Sequence, residues 1–523
     1  MVEFREFIVS PEIFTSLTEL ESFLLKKVGK DLMDNSNYRL ERKSIDARGG
    51  KIKFNLKYGF YPKDYSFSKE VELKEFEVSK SKNKVLIIGA GPAGLFSALE
   101  LVKNGIKPII IERGKDVRAR RRDLAAINRF NIVDSNSNYC FGEGGAGTYS
   151  DGKLYTRSKK KGDIRNVLNT LVGHGANPDI LFEAHPHIGT NKLPGIIESI
   201  RNYIIRSGGE IYFNERLIDF DIDNNRIKGI KTESGKVFEG DRLILATGHS
   251  ARDIFKLLDK KSIKIETKPF AIGVRIEMQQ NFIDQAQYKI KKRPEYLPAA
   301  SFSLVTQSLY KNKKKGVFSF CMCPGGFIVP SATSQNEVVV NGMSPSRRDS
   351  KYANSGMVVA VDEEDFLEFN DFGALKGMYY QESLEKKAHE LSGGTQRAMG
   401  QLTGDFIRSK ISNELLETSY VPGLFQGEFR ELLPENISMP LSDGLYQFNG
   451  KLRGFGTNIS QIIGLESRTS SPVKIPRDNE SLQHPEIKGL YPCGEGAGYA
   501  GGIMSAALDG IAVANAICKN IIV

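Results

Sequence analysis

Val85-Leu86-Ile87-Ile88-Gly89-Ala90-Gly91-Pro92-Ala93-Gly94, at residues 85–94, is the stretch that decides the fold. The apolar run that ends at Ile88 is typical of a parallel strand covered on both faces, and the residues after Pro92 continue as a helix. Glycines in this spacing permit a tight turn, let the main chain approach a pyrophosphate, and allow close packing of helix on strand. The stretch therefore predicts a dinucleotide site at a helix N-terminus, where unpaired N–H groups face the phosphates.

A second apolar run, Pro108-Ile109-Ile110-Ile111, follows the helix and ends in the acid Glu112. The two strands and the helix between them make a β-α-β unit. Glu112 lies 23 residues beyond Gly89, where a carboxylate can accept hydrogen bonds from both hydroxyls of an adenosine ribose. Because strand, glycines, helix, second strand and terminal acid all agree, a chance glycine turn is a poor explanation of the pattern.

Two further features favour FAD over NAD as the dinucleotide. Ala246-Thr247-Gly248 ends a buried strand after a run of short antiparallel strands, where two-dinucleotide flavoproteins close the far side of their first nucleotide site. A second glycine-rich junction, Tyr491-Pro492-Cys493-Gly494-Glu495-Gly496-Ala497-Gly498-Tyr499-Ala500-Gly501-Gly502, precedes a helical stretch. There Glu495 is placed to bind ribityl hydroxyls, and the helix start at 501–503 directs N–H dipoles at the flavin N1/O2 locus, where negative charge accumulates on reduction. No acid-terminated second strand follows, so we reject this junction as a separate NAD domain.

The composition is that of a globular chain in a reducing compartment. The chain has 523 residues, 51 of them Gly, and a formal charge of +10, which is a mild bias towards anionic partners, nucleotides included. Five cysteines are too few and odd in number for a disulfide framework, and no Cys/His spacing fits a metal site. The first residues lack a signal-peptide profile, and the one long apolar stretch is broken by glycine, proline and glutamate. We expect a cytoplasmic enzyme without metal or membrane span. Nucleic acid is disfavoured as a partner, because the lysine clusters lack interleaved aromatic residues.

Four strings resemble one known family. They are Gly142-Glu143-Gly144-Gly145-Ala146-Gly147-Thr148-Tyr149-Ser150-Asp151-Gly152-Lys153-Leu154, Lys268-Pro269-Phe270-Ala271-Ile272-Gly273-Val274-Arg275-Ile276-Glu277, Arg468-Thr469-Ser470-Ser471-Pro472-Val473 and the segment Gly494–Gly510. They are similar to the bacterial FAD-dependent proteins labelled "NAD(FAD)-utilizing dehydrogenases", and the resemblance runs over essentially the whole chain. It implies bound FAD in a glutathione-reductase-type domain. Two departures stand out, Cys140 where the family usually has Gln and Met278-Gln279 where it usually has His-Pro, so no histidine role is assigned at 278.

The strand pattern and the resemblance together predict an α/β fold in four segments. Residues 1–80 form a small N-terminal β-α-β-β module, in which Ser16 and Glu19 make a capping box and Gly29 ends the helix. Residues 81–258 and 451–523 form the two parts of a Rossmann-type FAD-binding domain. A mixed α+β substrate domain, residues 259–450, is inserted between them.

The glycine loop at 142–154 and two residues assigned by the resemblance complete the predicted FAD site. The loop offers close backbone approach, with Thr148 and Ser150 as hydroxyl donors. By the resemblance, Arg120 matches an arginine that faces the pyrophosphate, and Leu217 lies where the backbone meets the adenine; a solvated helix face is the alternative for Arg120. The predicted cofactor-binding residues are Gly89, Gly91, Pro92, Ala93, Gly94, Glu112, Arg113, Arg120, Gly144, Gly145, Thr148, Leu217, Thr247, Gly248, Gly494, Glu495, Gly501, Gly502 and Ile503.

No catalytic acid or base can be assigned from the sequence. Candidates for binding an anionic substrate are Arg275, Glu277, Arg347, Arg348 and Arg468, with an ordinary ion-pair network as the alternative. Of these, Arg275, Glu277 and Arg468 are also weak catalytic candidates. A redox dithiol at Cys321 and Cys323 competes with plain packing of small apolar side chains. Candidate proton donors, with a structural role as the alternative, are His185, His187 and His249.

The expected function is that of an FAD-dependent oxidoreductase that moves a hydride through flavin N5. NAD(P)H as a transient reductant and an anionic small-molecule substrate stay open. Two alternatives remain: a tRNA-modifying flavoprotein of similar FAD architecture, and a non-catalytic FAD-binding scaffold or sensor. The sequence predicts no oligomeric state.

Overall fold

The N-terminal segment folds into a three-stranded antiparallel sheet and three helices in this computed structural model, which describes residues 2–48, 50–67, 71–155 and 162–522. The elements are β1 Glu3–Val9, α1 Pro11–Thr15, α2 Leu17–Val28, α3 Lys30–Asn35, β2 Ser36–Asp46 and β3 Lys53–Pro62. In the sheet, β3 lies between β1 and β2. The Ser16 hydroxyl caps α2 by accepting a hydrogen bond from the Glu19 N–H at 3.4 Å, and Gly29, with a φ of 87°, ends the helix.

Residues 84–260 contain the predicted β-α-β unit and the antiparallel run that follows it. The strands and helices are β4 Lys84–Ile88, α4 Pro92–Lys103, β5 Lys107–Ile111, α5 Arg120–Phe130, α6 Ile164–Gly173, α7 Leu193–Arg206, β6 Glu210–Tyr212, β7 Leu217–Asp223, β8 Arg226–Thr232, β9 Val237–Glu239, β10 Leu243–Leu245 and α8 Arg252–Lys260. A short 3-10 helix, Gly145–Gly147, lies in the predicted glycine loop. Strands β7, β8 and β9 form an antiparallel sheet of their own.

Residues 261–466 build a larger sheet with flanking helices. The elements are β11 Glu266–Thr267, β12 Phe270–Gln279, α9 Gln280–Tyr288, β13 Val305–Tyr310, β14 Lys313–Cys323, β15 Phe327–Pro330, β16 Val340–Met343, β17 Tyr352–Val361, α10 Lys376–Leu391, β18 Ala398–Leu402, α11 Thr403–Ile407, β19 Leu424–Gln426, α12 Phe429–Leu432, α13 Glu435–Lys451 and β20 Gln461–Glu466. Seven of these strands form one sheet in the order β13-β14-β17-β12-β20-β18-β19.

The last segment returns to the sheet of the β-α-β unit. Its elements are β21 Val473–Lys474, β22 Leu490–Pro492 and α14 Ile503–Ile522. The five-stranded sheet has the order β22-β10-β4-β5-β6, and all of its pairings are parallel. The carboxyl ends of β4, β5, β10 and β22 therefore meet at one edge, where ligands bind in open α/β sheets. Within the described residues, no helix combines the length and the apolar character needed to cross a membrane.

Burial and close backbone contacts explain why residues 85–94 fold as predicted. Strand β4 is buried from Val85 to Ile88. Gly89 has a φ of 102°, and a Cβ there would stand 2.5 Å from the Ala246 carbonyl oxygen. A Cβ at Gly94 would stand 2.0 Å from the Gly89 carbonyl oxygen, so α4 starts this close to β4 only because both positions are glycine.

The seven-stranded sheet carries the second large core of the molecule. Strand β20 pairs with β12 and β18, so this sheet extends past the boundary predicted at residue 450. Its buried apolar side chains form one cluster with Val9, Leu24 and Phe54 of the N-terminal segment. The N-terminal segment thus packs on the part of the chain that carries the seven-stranded sheet.

Candidate functional site

A cavity of about 1180 Å³ lies at the carboxyl edge of the parallel sheet and extends to strand β14 of the seven-stranded sheet. Most of the predicted cofactor-binding residues line it: Gly89, Gly91, Pro92, Ala93, Glu112, Arg113, Gly145, Leu217, Thr247, Gly248, Glu495, Gly501, Gly502 and Ile503. The predicted residues outside its lining are Gly94, Arg120, Gly144, Thr148 and Gly494. The fold therefore brings the two distant glycine junctions to one space.

Glu112 ties the first glycine turn to the glycine loop. One of its carboxylate oxygens accepts hydrogen bonds from the Gly114 N–H at 2.9 Å and the Gly142 N–H at 3.0 Å. The other accepts from the Ala90 N–H at 2.8 Å. A carboxylate offers about four acceptor positions, and three of them are used here, so Glu112 can accept one further hydrogen bond. The sequence predicts that it accepts two, from both hydroxyls of a ribose.

Arg120 and Thr148 hold the glycine loop together instead of lining the cavity, which differs from their predicted contact with the cofactor. Arg120 is fully buried, so the solvated helix face is excluded. Its Nε donates to the Asn138 carbonyl at 2.7 Å, and its Nη1 donates to the carbonyls of Glu143 and Gly145, both at 2.9 Å. The Thr148 hydroxyl donates to the Glu143 carbonyl at 3.0 Å. A sequence cannot separate these roles, because carbonyl and phosphate oxygens accept from the same donors.

The C-terminal glycine junction presents an acid and a helix start to the cavity. Glu495 lines it, and burial raises the pKa of Glu495 to about 7, against the opposing effect of the Lys268 ammonium. Gly494 contributes differently, since its N–H donates to the Asp509 carboxylate at 2.8 Å and so anchors the junction to α14. Residues 501–503 form the adjacent wall, where α14 begins.

These residues fit a bound FAD. Cβ atoms at Gly248, Gly501 and Gly502 would meet no atom within 4 Å, so the main chain there borders open space. The first turns of α4 and α14 carry no acidic residue, and N–H groups at such helix starts can bind an anion. One buried donor behind the glycine loop, Nη2 of Arg120, has no hydrogen-bond partner among the described residues. A diphosphate at α4 and a ring edge at α14 would use donors of this kind.

Arg275 and Glu277, two of the weak catalytic candidates, lie outside the cavity lining, which corrects their proposed contact with a substrate. Arg275 is fully buried and pairs with Glu466 at 2.7 Å. Glu277 accepts hydrogen bonds from the Ser419 N–H, at 3.1 Å, and from the Ser419 hydroxyl. Both residues therefore belong to the structural network that the sequence left as the alternative.

Arg468 lines the cavity, but buried carboxylates balance its charge. Its guanidinium lies 2.7 Å from Glu337 and 2.8 Å from Glu385, and Arg252 pairs with the same two acids at 2.9 Å. Although burial acts to raise it, the guanidinium groups of Arg252 and Arg468 hold the pKa of Glu385 below its usual range. This cluster is closed on itself and leaves little charge for a ligand.

Burial lowers the pKa values of all three candidate histidines. Burial lowers the pKa of His249 to about 4, and the charges of Arg468 and Arg252 add to the effect. Burial also lowers the pKa values of His185 and His187. Because a general acid must carry a proton at the working pH, the structure disfavours all three as proton donors.

Lys153 is the lining residue that sequence reasoning missed. It belongs to the glycine string at 142–154, and its ammonium donates to the Met322 carbonyl of β14. Cys321 and Cys323 line the same wall, where Cys321 is exposed and Cys323 is buried, and burial raises the pKa of the Cys323 thiol. The sequence offered one signal, a single lysine in a string of mostly small residues. It could not show that β14 lies beside this lysine in the fold.

Three family models match the chain. "FAD-dependent protein, C-terminal domain-like" matches residues 269–469, the stretch that holds β12 to β20. "FAD binding domain" matches residues 82–124, the stretch that holds β4, α4 and β5. A domain of unknown function, DUF8436, matches residues 1–61.

Comparisons with curated proteins and solved structures give relatives of different coverage. An uncharacterized protein of Clostridium beijerinckii is 39% identical over 524 residues, which cover 96% of each chain. A D-amino acid dehydrogenase of Helicobacter pylori is 32% identical over 69 residues, 13% of this chain and 16% of that one. The crystal structure of CtdE with FAD and substrate 4 has a TM-score of 0.35 at 11% identity and covers 84% of both chains. With the two FAD models matched on either side of the cavity, this chain belongs to the family of FAD-dependent proteins.

Proposed function

We propose that this FAD-dependent protein is an oxidoreductase that acts on a small organic molecule in the cavity. Bound FAD supplies hydride transfer through flavin N5. The observation that carries the proposal is the convergence of two helix starts, of α4 and α14, on one cavity that has a further wall from β14. A cofactor with a purely structural role gives no reason for an additional wall lined by polar and thiol side chains.

The residues of the chain divide the work between the two ends of the cavity. Glu112 and the first turn of α4 hold the adenosine and diphosphate end. The N–H groups at the start of α14 oppose negative charge at the ring end, which favours the reduced state of a flavin. Glu495 has a pKa of about 7, so it can both accept and donate a hydrogen bond near neutral pH.

Space for a substrate supports the same proposal. The cavity of about 1180 Å³ exceeds the roughly 300–1,000 Å³ that is usual for one small-molecule site. Residues 301–303 and 319–323 line a part of it that contains none of the predicted cofactor-binding residues. We place the substrate in this part, the β14 side of the cavity.

The finer features of the proposal concern the reductant and the alternatives. The label "NAD(FAD)-utilizing dehydrogenase" stays a prediction, and NAD(P)H and the substrate itself are both proposed as hydride donors. None of the family descriptions and relatives named above refers to RNA, so the tRNA-modifying alternative has no support. The scaffold alternative differs from ours in the outcome of one experiment.

That experiment is anaerobic reduction of the purified, FAD-loaded protein. The protein is mixed with NADH, NADPH and a panel of small organic metabolites, and loss of the oxidised flavin absorbance is followed with time. We expect at least one donor to reduce the bound flavin faster than it reduces free FAD. If dithionite reduces the flavin and the protein stays folded, while every organic donor fails, the scaffold alternative replaces the proposal.

A further inference from the structure

Cationic side chains on the described part of the cavity wall are almost all neutralised by carboxylates. The arginine pairs are Arg113–Asp253 at 2.9 Å, Arg216–Glu233 at 2.6 Å, Arg348–Asp151 at 2.5 Å and Arg468–Glu337 at 2.7 Å. Lys153 also lines the wall, and it has no carboxylate oxygen within 4.0 Å among the described residues. Its charge therefore differs from the others in being free to attract a ligand.

The sequence around Lys153 does not supply the missing partner. The residues at 156–161, Thr156-Arg157-Ser158-Lys159-Lys160-Lys161, lie outside the described ranges, and none of them is acidic. Asp151 lies two positions before Lys153, but its carboxylate oxygens accept hydrogen bonds from Arg348 at 3.0 and 2.5 Å. Asp151 therefore balances the charge of Arg348, and the charge of Lys153 stays unbalanced.

The main chain fixes the position of Lys153. The Leu154 N–H donates to the Pro186 carbonyl at 2.9 Å, and the Ile188 N–H donates to the Gly152 carbonyl at 3.1 Å. The ammonium itself donates to the Met322 carbonyl. An ammonium has three N–H donors, so two remain for a ligand after this bond.

The charged groups around the two neighbouring histidines include more cations than anions. Burial lowers the pKa of His185, and Arg42 and Arg348 lower it further against the smaller effect of Glu183. Burial likewise lowers the pKa of His187, and Arg348 lowers it further; Asp151 and a hydrogen bond with the Ser346 carbonyl oppose this, and Lys153 makes the smallest contribution, in the same direction as Arg348. Cations outweigh anions around both rings, which favours an anionic ligand.

Apolar residues line the β14 side of the cavity, together with serines and cysteines. Phe320 and Met322 of β14 line it, as does Phe302 from the adjacent segment. The hydrogen bond from the Ser319 N–H to the Leu304 carbonyl, at 2.8 Å, holds that segment against β14. A ligand here meets one positive charge and a wall in which apolar residues stand among serines and cysteines.

We propose that Lys153 binds the carboxylate of the substrate, and that the substrates are small organic acids with one carboxylate and an apolar body. One free ammonium matches one carboxylate, whereas a phosphate dianion ordinarily draws several donors or a guanidinium fork. This inference rests on the proposed function, because it assigns the substrate class to the same cavity. Lys153 binds substrate in this scheme, and no proton transfer is assigned to it.

The test compares benzoate with benzamide on the oxidised, FAD-loaded protein. The two probes share a shape and differ in charge, and binding is read from the flavin difference spectrum and from the midpoint of thermal unfolding. We expect saturable binding of benzoate and an affinity for benzamide at least about tenfold lower, as for loss of a charge-assisted hydrogen bond. Lys153→Met removes this preference, Lys153→Arg retains most of it, and the matched control Lys228→Met, at an exposed lysine of β8 outside the cavity wall, leaves it unchanged.

Several outcomes overturn the inference. They are equal affinity for the two probes, no response of the wild-type protein to benzoate, or full benzoate affinity in Lys153→Met. A stronger response to inorganic phosphate than to benzoate reassigns the site to phosphorylated ligands. FAD content is measured first in every variant, and Lys153→Gln replaces Lys153→Met if the latter does not fold. Neither readout of ligand binding needs turnover. If no organic donor reduces the flavin, the oxidoreductase proposal is refuted, but the preference for benzoate over benzamide can still be measured.

Discussion

Gly510 of α14 lies directly against Ala93 of α4, since a Cβ at Gly510 would stand 2.2 Å from the Ala93 carbonyl oxygen. The Ser97 hydroxyl joins the same two helices, because it donates to the Ala93 carbonyl at 2.7 Å and to the Gly510 carbonyl at 3.1 Å. Both helices begin at the cavity wall. Their backbone contact therefore sets the separation of the two helix starts that would hold FAD.

Gly510→Ala tests this contact. The added methyl group would force the helices apart, so we expect a loss of about 1–3 kcal/mol in the free energy of unfolding and weaker FAD binding. Urea denaturation and FAD titration of the purified variant measure the two effects. The matched control is Gly195→Ala in α7, where a Cβ meets no atom within 4 Å; it should keep FAD affinity and gain up to about 1 kcal/mol of stability. Equal behaviour of the two variants would contradict the prediction.

Arg120→Met tests the role of the buried guanidinium in the glycine loop. The variant loses three hydrogen bonds to main-chain carbonyls, and we expect FAD affinity to fall by about tenfold or more, since one such bond to a charged group contributes about 1.5–3 kcal/mol. Fluorescence of released FAD measures the affinity. Arg122→Met, at an exposed position of the same helix, is the control and should bind FAD as the wild-type protein does. An unchanged affinity in Arg120→Met would remove Arg120 from the site.

Glu495→Gln tests the effect of burial on an acid of the cavity wall. In the folded chain the pKa of Glu495 is raised from 4.5 to about 7, so between these values the folded state holds a proton that the unfolded state has released. Stability from this group is therefore present below about pH 4.5 and declines as pH rises towards 7. We expect the free energy of unfolding of the FAD-free wild-type protein, relative to Glu495→Gln, to fall from pH 5 to pH 7 and then level off. A difference that is constant over this range would show an ordinary carboxyl.

Arg275→Met tests whether this arginine is structural. The variant leaves Glu466 buried without its partner, which costs about 3–5 kcal/mol for a pair of this kind. We expect lower stability in urea, and an unchanged rate of anaerobic flavin reduction per bound FAD at low temperature. The double variant Arg275→Met/Glu466→Gln should recover part of the stability, because it leaves no unpaired charge. A large fall in the reduction rate per FAD in both variants would return Arg275 to the reacting centre.

The parts of the site that follow from local sequence were predictable, and the parts that depend on distant contacts were not. Gly89 and Gly94 are constrained by atoms of their own β-α-β unit or of the adjoining strand, so their spacing in the sequence carries the structure. Lys153 donates to a group far along the chain, the Met322 carbonyl, and Arg120 is enclosed by carbonyls of an irregular loop that has no strand or helix periodicity. The sequence could show that these cations exist, but not which of them already has a partner. The end of the seven-stranded sheet was hard to predict for the same reason, because β20 joins this sheet only through pairing with the distant strands β12 and β18.

The hydrogen bond between Ser97 and Gly510 joins residues that are 413 positions apart. A contact of this sequence separation forms late, since the entropy of closing so long an intervening chain must first be overcome. The intervening chain contains the whole seven-stranded sheet, whose core is separate from the one around α4 and α14, so we expect this sheet to assemble beforehand. We therefore expect FAD binding to be one of the last steps in the folding of this protein. The chain should bind the flavin only after the seven-stranded sheet has folded.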